Sequence, residues 1–82
     1  MNTIARQADP ILDELLANVL SGRREMNAER HLTPHKERRS AVQLRLLAAL
    51  ESYTAALSAR GLVSPPKLRD ELALQRRLAV HR

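Results

Sequence analysis

Residues 34–60, PHKERRSAVQLRLLAALESYTAALSAR, can be wound as one helix with almost no polar side, and this limits what the chain can fold into. Thr33 suits an N-cap, and Pro34 suits a first helical position, where a missing N–H goes unnoticed. Gly61 stands where a left-handed C-terminal residue is wanted. At ~100° per residue, Val42, Leu46, Ala49, Leu50, Tyr53 and Leu57 share one face. Ala41, Ala48, Ser52, Ala55 and Ala59 form a second, nearly opposite stripe of small side chains. Between 41 and 60 only Arg45, Glu51 and Arg60 are charged. A helix apolar on most sides is normally covered on most sides.

The remaining chain has little with which to cover it. A protein of 82 residues makes one domain and hides only ~60% of its unfolded surface. It has no cysteine, tryptophan or phenylalanine and one tyrosine, so neither disulfides nor large aromatic anchors reinforce the core. Helix 34–60 would be ~40 Å long at ~1.5 Å per residue, against a diameter of ~30 Å for a compact globule of this length. The expected shape is elongated, or a second copy covers the excess. The expectation is a homodimer or a stable complex with another protein.

The flanking segments also read as helices. Asp9-Pro10 is a cap followed by proline at the first position, and Ile11, Leu12, Leu15, Leu16 and Val19 then share a face. Ile4 and Ala8 are in phase with that stripe, so a helical turn could precede Pro10. Ser21-Gly22 is a weak point. Met26 remains in phase, and residues 23–29 are mostly adequate helix formers, so continuation to about Arg30 is favoured over an end near Ser21. The short turn at 31–33 makes 10–60 an antiparallel hairpin. Ser64-Pro65 opens a third helix, 65–80, with Leu68, Leu72 and Ala79 on one face and Leu74 and Leu78 off it. The fold class expected is all-α: two long antiparallel helices, approximately 10–30 and 34–60, and a shorter C-terminal one, in a single domain over 1–82.

No catalytic or metal chemistry emerges. His31 and His35 are four apart but separated by a helix boundary, and His81 lies near the end of the chain. There is no thiol, Gly22 and Gly61 are isolated, and the acid pairs Asp13-Glu14 and Asp70-Glu71 each point two ways on a helix. The chain is expected to be non-enzymatic, with no cofactor. No leader is visible at the N-terminus and no apolar run approaches a membrane span, so a cytoplasmic setting is expected.

The net charge of +5 is uneven. Residues 21–45 and 60–82 each carry +4, whereas residues 1–20 carry −2. One basic footprint is Arg23, Arg24, Arg30, Lys36, Arg38, Arg39 and Arg45. A second follows from a helix-turn-helix reading, in which 53–60 is the first helix and 66–78 presents Lys67, Arg69, Gln75 and Arg76. Either could meet DNA phosphates or an acidic partner. The plainer explanation is that these side chains keep an apolar surface solvated. The functional expectation is a non-catalytic module that binds and regulates a protein partner, as an adaptor, co-chaperone or inhibitor, through Val42, Leu46, Ala49, Leu50, Tyr53 and Leu57. A small DNA-binding regulator is the alternative.

Overall fold

The computed structural model describes residues 9–33 and 35–80, the side chain of Val80 excepted. They form three helices and no strand: α1 (Pro10–Glu29), α2 (Lys36–Ala59) and α3 (Pro66–Val80). The turn considered ahead of Pro10 lies outside the described residues, as do Pro34 and His81.

Each helix begins at a cap that the local chemistry explains. Asp9 Oδ1 accepts the Leu12 N–H at 3.1 Å, and its carbonyl accepts the Asp13 N–H at 3.0 Å. For α2 the cap is His35 rather than Thr33. His35 Nδ1 accepts the Arg38 N–H at 3.2 Å. This nitrogen is as many bonds from Cα as an aspartate oxygen, so it can fill the same role. Thr33 uses its carbonyl to accept the Arg38 guanidinium at 2.6 Å. For α3 the start moves one residue on from the expected Pro65. Pro66 keeps the residue before it out of the helical region, so Pro65 only lends its carbonyl, to Arg69 N–H at 3.1 Å, and Pro66 is the first helical residue.

The ends are equally local. Gly61 has φ +72°. Its N–H reaches Ser58 O, and Leu62 N–H reaches Leu57 O, both at 2.9 Å. That pair of bonds is a Schellman closure, which satisfies two carbonyls of the last turn.

α1 runs unbroken through Gly22, and α2 packs closely against the glycine. A Cβ at position 22 would lie 3.1 Å from Leu46 Cδ1 and 3.3 Å from Leu46 Cα. This approach sets the rotation of α1. Val19 and Gly22 are buried, with Leu12, Leu15 and Met26 half-buried beside them, while Ile11 and Leu16 turn outward. The buried face is therefore shifted from the stripe expected at 11–19.

α2 is the centre of the core. Val42, Leu46, Leu50 and Leu57 are buried, joined by Val19 from α1 and by Leu68 and Leu72 from α3. Leu47, Ala49 and Tyr53 pack at the edge. α1 and α3 both lie on α2, and they are linked to each other through the Arg23–Glu71 ion pair. The radius of gyration is 14.6 Å and the extents are 49 × 22 × 17 Å, against ~12 Å for a compact chain of this length. The elongated shape follows from α2.

Asp9 also ties the hairpin's open end, since Arg60 Nε donates to its Oδ2 at 2.7 Å. The Arg60 guanidinium, and after it the Leu12 N–H, hold the Asp9 carboxyl below its ordinary value. Lowered in the folded chain, this group contributes stability that is present above the unfolded pKa of about 3.9 and is lost as pH falls through the folded value. Asp9→Ala is expected to lower Tm at neutral pH. The gap from the parent chain should narrow below about pH 4, in thermal melts followed by circular dichroism. A gap that stays constant down to pH 2 would contradict this.

Candidate protein-binding groove

The six residues expected to meet a partner lie in the chain's own core. Val42, Leu46, Leu50 and Leu57 are 3, 2, 0 and 6% exposed, and Ala49 and Tyr53 are half-buried. α1 and α3 cover this face, so a partner could reach it only by displacing one of them. The opposite stripe, Ala41, Ala48, Ser52, Ala55 and Ala59, is exposed. Leu44 beside it is 47% exposed.

Unburied apolar surface also collects elsewhere. Because α1 and α3 sit apart on α2, their C-terminal halves wall a groove whose floor is α2. α1 and its C-cap supply Arg23, Met26, Asn27 and Arg30, and α3 supplies Glu71, Leu74, Gln75 and Leu78. Both sets fall at i, i+3, i+4 and i+7, so each is one helical face, and the groove runs along the helix axes. Arg39, Gln43 and Leu46 of α2 line its floor, and Leu32 of the connecting turn stands at its open end. The wider part has a volume of about 440 Å³. Leu32, Leu74 and Leu78 are 51, 44 and 40% exposed.

The polar groups of this groove differ in how they are satisfied. Arg23 Nε donates to both carboxylate oxygens of Glu71, at 3.1 and 3.0 Å, and Nη2 donates to Oε1. The pair closes the inner end. Glu71 raises the Arg23 pKa further through these bonds, so the guanidinium stays charged. Glu29 is held by Arg38 at 2.6 Å. Arg30 and Arg39 pair with no carboxylate among the described residues. Gln75 is 8% exposed, and its Oε1 has no hydrogen-bond partner. A buried carbonyl left unpaired is costly and uncommon in folded chains.

The basic footprints are divided by the fold. Arg23, Arg38, Arg45 and Arg76 are held by Glu71, Glu29, Glu25 and Glu51. Arg24, Arg30, Lys36 and Arg39 belong to one end of the hairpin, whereas Lys67 and Arg69 sit at the start of α3. The helix-turn-helix reading changes in two ways. Residues 53–59 continue α2 without a break, and Gln75 faces the core instead of solvent. It completes the buried series of Leu68 and Leu72 at i, i+4 and i+7. Periodicity could have placed Gln75 inside, and the unused pair Leu74 and Leu78, four apart, was the one visible sign of a second α3 face.

Among the described residues no group of three His, Asp or Glu side chains could hold a metal, and no helix is long and apolar enough to cross a membrane. Comparisons with protein-family models, with curated proteins and with solved structures find no match.

Proposed function

We propose that this chain is a non-catalytic helical module that binds a segment of a protein partner in the groove between α1 and α3, and so holds, blocks or regulates that partner. One observation carries the reading. Three leucines, Leu32, Leu74 and Leu78, remain between 40 and 51% exposed around a groove whose buried wall holds an unpaired glutamine carbonyl. Apolar side chains gathered round a concavity are the usual substance of a recognition site. The groove is lined by leucines, a methionine, arginines, amides and two carboxylates that Arg23 and Arg38 already hold, groups suited to gripping a ligand. The exposed small-residue stripe of α2 leaves room for a second copy on the far side, so the expected homodimer is compatible with this site. The proposed setting is the cytoplasm.

The test is affinity capture from cells that express the chain, using the parent and a Leu74→Glu/Leu78→Glu variant shown by circular dichroism to be helical. A discrete protein held by the parent and released by the variant is expected. Equal capture by both, or no capture by the parent, would overturn the reading. DNA binding has less support, because four of the ten candidate cations are already held by carboxylates and the remainder lie at two ends of the molecule.

A further inference from the structure

We infer that the occupant of this groove is an acidic amphipathic helix of the partner. The inference rests on the reading above and adds the chemistry of what is bound. Charge comes first. The groove's rim carries Arg30 and Arg39, which have no carboxylate partner among the described residues. The two acids nearby are taken: Glu29 by Arg38, and Glu71 by Arg23. A ligand that brings carboxylates meets two open guanidinium groups, and one that brings lysines meets those same cations and carboxylates already engaged by Arg23 and Arg38.

Shape comes second. The walls are two parallel helices on a third, and the chain alternates up, down and up, so the empty position is that of a fourth helix closing a bundle. From Arg23 to Arg30 the wall extends ~10 Å, about two helical turns. Leu74 and Leu78, one turn apart, present the spacing that leucines of a docked helix would interleave. The walls offer no strand edge for an extended peptide to pair with. The Arg23–Glu71 pair stops the groove at its inner end, so the helix enters beside Leu32.

The probe is a fluorescein-labelled, end-capped peptide of about 16 residues, long enough to hold helix on binding. Leucines stand at i, i+4 and i+7, a span of ~10 Å that matches the wall, and glutamates flank them. A second peptide has lysine for every glutamate. Fluorescence anisotropy with the full chain is expected to show the glutamate peptide binding at least about tenfold more tightly than the lysine peptide. An Arg30→Glu/Arg39→Glu variant should reverse that order. Gln75→Leu should raise Tm, because it removes the unpaired carbonyl, and leave the order of the two peptides unchanged. Equal binding of the two peptides, binding of neither, or an order unchanged by the arginine reversal would overturn the proposal. Capture of a partner that depends on Leu74 and Leu78 but ignores the arginine reversal would sink the acidic helix and leave the groove standing. Capture indifferent to the leucines sinks both.

Discussion

Leu50→Ala should cost about 3–5 kcal/mol and leave the chain barely folded at room temperature. Leu50 is fully buried at the middle of α2, with Val19, Leu46, Leu57, Leu68 and Leu72 in the same cluster. Removing three carbons there loses their transfer from water and leaves a cavity that two covering helices close only in part. A domain of 82 residues has a total stability of roughly 4–12 kcal/mol, so the loss is a large share of it. Tm should fall by about 12 °C or more, at about 4–8 °C per kcal/mol. Leu44→Ala in the same helix is the control. Leu44 is 47% exposed, and its truncation should change stability by no more than about 0.5 kcal/mol. If Leu50 faced a partner instead of the core, the two substitutions would behave alike in thermal melts of the isolated chain.

The second large effect belongs to Gly22. Its missing side chain lets α2 come within 3.3 Å of where a Cβ would stand, measured to the Leu46 Cα, with the Leu46 Cδ1 nearer still. Alanine gains about 1 kcal/mol of helix propensity but crowds Leu46, and the Cα cannot yield without moving α2. Gly22→Ala should therefore come out near neutral. Gly22→Leu adds three more carbons with nowhere to go. It should cost about 1–3 kcal/mol or more by overpacking and push the hairpin open. Chemical denaturation measures both. A Gly22→Leu chain as stable as Gly22→Ala would show that the two helices do not meet at this point.

The sequence was legible wherever one helix decides the outcome. Three X-Pro pairs marked three starts, and each was right to within a residue or two, because capping is local chemistry. The two misplaced caps were lost to neighbours that the pattern did not weigh: a histidine that accepts in place of a threonine, and a second proline that pushes the first out of the helix. Gly22 looked like a weakness in α1 because propensity prices it that way, whereas its use is tertiary, a close approach to Leu46. The hydrophobic face of α2 was correctly drawn. Periodicity says that a face is covered and is silent on whether the cover is the same chain or another, so Leu46, Leu50 and Leu57 were read as a partner surface when α1 and α3 cover them. The groove was beyond reach for a related reason. Its walls come from stretches more than forty residues apart, and its exposed leucines, Leu74 and Leu78, fall off the simple pattern of their own helix.

The claim beneath the functional reading is that partners meet the wall of Leu74 and Leu78 while the core face of α2 stays closed. A photo-crosslinking amino acid at position 78, compared with the same group at position 44 on the opposite side of α2, tests it most directly in cells that express the chain. One crosslinked species of a different protein, formed from position 78 and absent from position 44, is the expected result. A crosslink from position 44 alone, or from position 78 only to a second copy of this chain, would contradict the claim.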